Sequence, residues 1–358
     1  MSIRTKVFKF FFTSLLLLAM PAVSGYDNTK FPDFELEIPN REYEFISIHP
    51  NGEDLLISEG GKNSGLLLFN LKKRSLFKYN ISGNYQYTFS IFSSSGEKIV
   101  MVRRSLSKSR LIKDQLEALR TSEIAIMNND GSNFEVLPIP QDMIVALAMS
   151  KDEKKIAYWF AKTVRGPGSQ TFISDFDIKE LDLTTKRERL FAGPFNFFEI
   201  GSINYLNEST LLISGFAPRD INTSIQDYAK KFNYSQIYRI QRDQKETPTP
   251  IFTKNRNARN PVIDNHKNTY FVDYPETMGR AISKISHDGQ YLFSWRMPDL
   301  KNYSFYRLAV SPEGRYLAFT YGNQKSAIGF FDFKSEIWTT IPIPPASQAS
   351  IIDIKPVR

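Results

Sequence analysis

Short apolar runs, each followed by a polar turn and a second apolar run, recur along most of the chain. The fullest instance is an apolar run from Phe305 to Val310, the turn Ser311-Pro312-Glu313-Gly314, then Tyr316-Leu317-Ala318-Phe319. Proline presets one turn dihedral and glycine tolerates positive φ, so the pattern predicts a β-hairpin. Similar stretches begin at His49-Pro50-Asn51-Gly52, Ser94-Ser95-Gly96-Glu97 and Ser150-Lys151-Asp152-Glu153. Two weaker copies are Leu206-Asn207-Glu208-Ser209 and Asp264-Asn265-His266-Lys267. The turn glycine or its counterpart stands at 52, 96, 153, 208, 267 and 314.

A second hairpin follows the first within several units. Ser122 to Met127 and Phe134 to Leu137 bracket Asn128-Asn129-Asp130-Gly131. Ile282 to Ser286 and Tyr291 to Trp295 bracket His287-Asp288-Gly289, and Ile328 to Phe333 and Ile337 to Ile341 bracket Lys334-Ser335-Glu336. Two hairpins make a four-stranded unit, and such a sheet covers both faces only between neighbours. Six repeats therefore predict an all-β fold, a six-bladed β-propeller of four-stranded blades. The expected organisation is a leader at 1–24, a short segment at 25–43, the propeller at 44–345 and a tail at 346–358. Phe34 to Ile38 and Ile351 to Ile354 are the candidate ring-closing strands.

The Ser-Pro-Glu-Gly turn ahead of Leu317-Ala318-Phe319, with its copies, resembles the PD40, or WD40-like, repeats of TolB-like propellers. The resemblance covers roughly residues 44 to 342. Members of that family carry an α/β domain ahead of the propeller. Here Tyr26 to Tyr43 is what separates the leader from the first unit, so the resemblance extends to the propeller alone. It implies a periplasmic protein that binds other proteins of the cell envelope.

The N-terminus has the form of a secretory signal. Arg4, Lys6 and Lys9 precede an apolar run from Phe10 to Met20, and Ala22-Val23-Ser24 offers small residues for cleavage. That run is short for a bilayer span, and no later stretch is long and apolar enough for one. The expected location is the periplasm or outside the cell. The chain has no cysteine, which excludes disulfides and thiolate metal sites. Net charge is +8, of which the leader's three bases leave the remainder at +5. That balance is mild and, with export, argues against nucleic acid.

Three long connections fall between the second and third strands of adjacent units: Arg103 to Thr121, Ala161 to Ser174 and Gly215 to Tyr234. Strand alternation places all three on one face, where repeat folds collect binding elements. The first holds Arg103, Arg104, Lys108, Arg110, Lys113 and Arg120 against two acids. Its Leu111, Ile112, Gln115, Leu116 and Leu119 have helical spacing, which predicts a short amphipathic helix with a basic flank. These six bases are the candidate partner-binding residues, for an acidic protein partner or an anionic envelope surface. The alternative is a helix packed on the rim with its charges solvated.

No catalytic, cofactor-binding or metal-ligating set emerges. His49, His266 and His287 all fall in repeat turns on the face away from the long connections. Asn128 to Gly131 has part of a calcium-loop pattern but lies at a hairpin turn. Arg165 to Ser169 is a loop tip rather than a phosphate cradle. Pro194 to Phe198 could expose rings at the channel mouth or pack them between blades. The favoured function is a periplasmic binding or scaffold propeller. The alternative is a propeller enzyme on a saccharide or other envelope substrate, which needs carboxylates converging at the channel.

Overall fold

The computed structural model describes residues 43–60, 65–81, 85–105, 120–139, 143–165, 171–195, 197–218, 235–252, 257–274, 281–296, 304–322, 326–344 and 346–356. They form a six-bladed β-propeller. Blade 1 contains β1 (Tyr43–Ile48), β2 (Asp54–Glu59), β3 (Gly65–Asn70) and β4 (Ser75–Asn80). Blade 2 contains β5 (Tyr85–Phe92), β6 (Lys98–Ser105), β7 (Ser122–Asn128) and β8 (Glu135–Val136). Blade 3 contains β9 (Ile144–Met149), β10 (Lys155–Arg165), β11 (Thr171–Asp182) and β12 (Glu188–Phe195). Blade 4 has β13 (Phe197–Asn207), β14 (Thr210–Pro218) and β15 (Ser235–Gln241). Blade 5 has β16 (Asn257–Ile263), β17 (Thr269–Tyr274), β18 (Ala281–Ile285) and β19 (Tyr291–Arg296). Blade 6 has β20 (Ser304–Val310), β21 (Tyr316–Gly322), β22 (Ser326–Asp332) and β23 (Ile337–Ile341).

The alternation of side chains along each strand explains the ring. In β6, Ile99 and Met101 face blade 1 while Val100 and Val102 face blade 3, and all four are fully buried. Apolar clusters of this kind fill every blade interface. The one joining Ile46, Leu55 and Leu67 of blade 1 to Ala318 and Ile328 of blade 6 closes the circle. A further strand, β24 (Ser350–Asp353), adds to the outer edge of blade 1, parallel to β4. Blade 4 departs from the four-stranded plan. Among the described residues its outermost position is one bridge, Tyr238 with Pro250, where Pro248 and Pro250 have no amide to donate.

The repeat turns show why the spacing was readable. Gly52, Gly96 and Gly314 have positive φ, and so do their counterparts Glu153 (φ 58°) and Lys267 (φ 63°). Glu208 is different. Asn207 pairs directly with Thr210, so blade 4 turns on two residues without a left-handed position there. Gly96 is required twice over: its φ is 80°, and the His49 ring lies where a side chain would stand.

One expectation shifts in detail, and one open alternative is decided. The segment from Ala161 to Ser174 is largely an extension of β10 and β11, which pair as far out as Arg165 with Thr171. It is a long hairpin rather than an inserted loop. Phe195 and Phe197 are 3% and 1% exposed and belong to the cluster with Trp159 between blades 3 and 4, while Pro194 is exposed.

Candidate functional site

The innermost strands β1, β5, β9, β13, β16 and β20 surround the axis. Each is irregular at a corresponding level, a short distance before its turn. Glu44, Phe89-Ser90, Val145, Gly201-Ser202, Asn260-Pro261 and Tyr306 are the extra residues that break register. A bulge turns a side chain out of the sheet plane and bends the strand. Here the bulges ring the axis.

At this level side chains from four blades meet. The Phe45 and Phe89 rings are 3.9 Å apart, and the Arg307 guanidinium lies 4.4 Å from the first ring and 5.5 Å from the second. Arg307 also donates to Asn260 Oδ1 at 3.0 Å. Phe89 and Asn260 both have φ of 50°, an unfavourable conformation for residues with a Cβ. Blades 1, 2, 5 and 6 thus meet through four side chains. The propeller has two faces.

One mouth lies on the side of the β6–β7, β10–β11 and β14–β15 connections. The antiparallel order of the blades puts all three on that side. Of the predicted basic residues, Arg103 is occupied. Its Nε donates to Glu123 Oε2 at 2.8 Å, and its guanidinium lies 4.3 Å from the Tyr85 ring. Arg104, next along β6, is half-buried, and its Nε is buried with no hydrogen-bond partner. Burial disfavours its charged form, and the charge of Glu44 opposes that effect. Gln86 donates to Glu44 Oε1 at 2.7 Å, which anchors the Glu44 side chain. Arg120 is exposed at the turn before β7. Lys108, Arg110 and Lys113, with the predicted helix, lie outside the described residues.

The opposite mouth bears the repeat turns, including His49, His266 and His287. A cavity of about 480 Å³ opens there. Its walls are Ile91, Leu147, Ile203 and Ile263, at or near the ends of inner strands, and its rim includes Lys151, Glu208 and Lys267. A second cavity of about 650 Å³ lies between blades 2 and 3, and Ser94 and Lys151 border both.

The carboxylates near these mouths have partners. Glu208 pairs with Lys155 at 2.9 Å, and Glu135 with Lys186 at 3.0 Å. Asp264 accepts from the Asn268 amide at 2.9 Å and from Tyr270 Oη at 3.1 Å. Asp130, in the suspected calcium-loop stretch, accepts from Ser132 within the β7–β8 turn. Among the described residues, no group of three or more histidine and carboxylate side chains could hold a metal ion. None of the described helices is long and apolar enough to cross a membrane.

Sequence patterns gave no direct sign of this cross-blade cluster. Gly201-Ser202 and Asn260-Pro261 were the available cues, since glycine or proline within a strand often marks a bulge. Phe89 carried none.

No family model matches the chain, and no curated protein matches it. Solved structures do. TolB from Acinetobacter baumannii superposes with a TM-score of 0.54 at 11% identity, over 83% of this chain and 62% of that one. The tricorn protease gives 0.54 at 13% identity, over 85% of this chain and 26% of its own. An oligogalacturonate lyase in complex with manganese gives 0.51 at 10% identity, over 84% and 76%. The chain therefore spans about three-fifths of the TolB structure and a quarter of the protease. At these identities the likeness is one of fold.

Proposed function

We propose that this chain is an exported propeller of the bacterial cell envelope that binds a protein partner. The partner presents an acidic segment to the mouth bearing the β6–β7, β10–β11 and β14–β15 connections. The observation that carries this reading is Arg104. Arg104 is only half-buried, and its terminal nitrogens, unlike the enclosed Nε, can donate to a partner's carboxylate by a charge-assisted hydrogen bond. The leader-like residues 1–24, the lack of cysteine and the TolB-like fold support an envelope setting.

The test is affinity capture from envelope extracts with the tagged, exported protein, compared with Arg104→Gln. The expected result is one specific protein retained by the parent and reduced about tenfold or more by the variant, as for loss of one charged hydrogen bond. Far-ultraviolet circular dichroism confirms that the variant folds. No specific protein, or equal retention by both, overturns the reading.

A further inference from the structure

We infer a second binding site, independent of that reading, in the cavity on the repeat-turn side: it takes a carboxylate carried on an apolar stem. The cavity adjoins β5, where Phe89, two residues before Ile91, packs against Phe45 and Arg307. Its volume of about 480 Å³ suits a small ligand or the end of a chain. Leu147 and Ile203 are buried and Ile91 and Ile263 half-buried, so the walls offer apolar surface to a stem.

The rim supplies the charge. Glu208 is committed to Lys155, and Asp264 to Asn268 and Tyr270. Lys151 and Lys267 are exposed, and neither ammonium group has a carboxylate partner among the described residues. Both project from ordered turns. The Lys151 carbonyl accepts from Ser94 Oγ at 2.6 Å, and the Lys267 amide donates to the Asp264 carbonyl at 2.9 Å. Lys267 also holds a left-handed conformation at a position where three other blades have glycine. A long cationic side chain is thus kept at some conformational expense where glycine would be easier. Two exposed lysines at the rim of a cavity whose lining includes Ile91, Leu147, Ile203 and Ile263 match an anion with an apolar body.

A free alkyl carboxylate and the C-terminus of a peptide share this chemistry. Titration calorimetry with octanoate, with acetyl-Ala-Leu-Leu bearing a free carboxylate, and with the same peptide amidated distinguishes them. The expected result is saturable binding of at least one carboxylate probe. Octanoate binding more tightly assigns the alkyl source, and the free peptide binding more tightly assigns the chain end. The amidated peptide should bind about tenfold more weakly than its acid, as for a lost charged hydrogen bond. Lys151→Gln and Lys267→Gln should each weaken binding several-fold, while Arg104→Gln leaves it unchanged. Reductive methylation with ¹³C-formaldehyde provides a second measurement, in which the Lys151 and Lys267 signals should shift on addition of the bound probe. Absence of saturable binding, equal binding of acid and amide, or indifference to both lysine variants overturns the site.

Discussion

The rings of Phe45 and Phe89, from blades 1 and 2, meet at 3.9 Å with the Arg307 guanidinium lying over both. Phe89 holds this contact with a positive φ. Phe89→Ala should lower stability by about 2 kcal/mol, less than a fully buried phenylalanine because Phe89 is half-buried. Phe89→Gly should be no less stable than Phe89→Ala, the reverse of the usual order in a strand, because glycine accepts this conformation. Urea midpoints at unchanged slope measure both.

Glu180, on β11, is 1% exposed and joins blades 3 and 4. Arg242 donates to both of its oxygens, Arg189 to one, and Tyr205 to the other. Burial alone would raise its carboxyl pKa. The hydrogen bonds from Arg242, Arg189 and Tyr205 outweigh that effect and hold it below the usual glutamate value. The stability this gives is present above the unfolded-state pKa and is lost as pH falls through the lower folded-state value. Glu180→Gln should cost about 3 kcal/mol at neutral pH and flatten the acid limb of the stability profile. Denaturant titrations across the acid range check both effects.

The C-terminal strand spans two blades. Asn80 Nδ2 donates to Asp353 Oδ1 at 3.0 Å, and the Phe134 amide donates to the Lys355 carbonyl at 2.8 Å. Ile352 and Ile354 pack against the cluster between blades 1 and 2. Gly131 leaves room for the Asp353 carbonyl, which would lie 2.8 Å from a side-chain carbon there. Deleting residues 350–358 should cost roughly 2–3 kcal/mol from the lost apolar burial. Hydrogen exchange should accelerate along β4 and β8 before the inner strands respond.

Lys267→Gly separates conformational strain from binding. The left-handed backbone at Lys267 favours glycine, although glycine gains entropy in the unfolded chain. The net expectation is a gain of about 0.5 kcal/mol in stability, together with several-fold weaker binding of the carboxylate probe. Thermal unfolding and the same calorimetric titration supply the two readouts.

The ring was legible because its cause is local and repeated. A turn that needs positive φ recurs between apolar strands, and the chemistry of Ser311-Pro312-Glu313-Gly314 reports it directly. Glu153 and Lys267 adopt the left-handed conformation although neither is glycine, so spacing located them where composition could not. Glu208 shows the limit, since blade 4 has the same spacing and a different turn. The cross-blade cluster was not legible. It depends on Phe45, Phe89, Asn260 and Arg307 meeting across blades, and no local pattern encodes that. The basic stretch likewise read as one surface, yet Arg103 is committed to Glu123 while its neighbour Arg104 has a buried nitrogen without a partner.

The most direct measurement places p-benzoylphenylalanine at Thr121, beside the β6–β7 connection, or at His287, on the outer hairpin of blade 5, and irradiates intact cells. A discrete protein adduct from position 121, absent from position 287 and lost when Arg104→Gln is added, is the predicted result. An adduct from 287 but not 121, or none from either, would contradict a partner seated on the Arg104 side of the propeller.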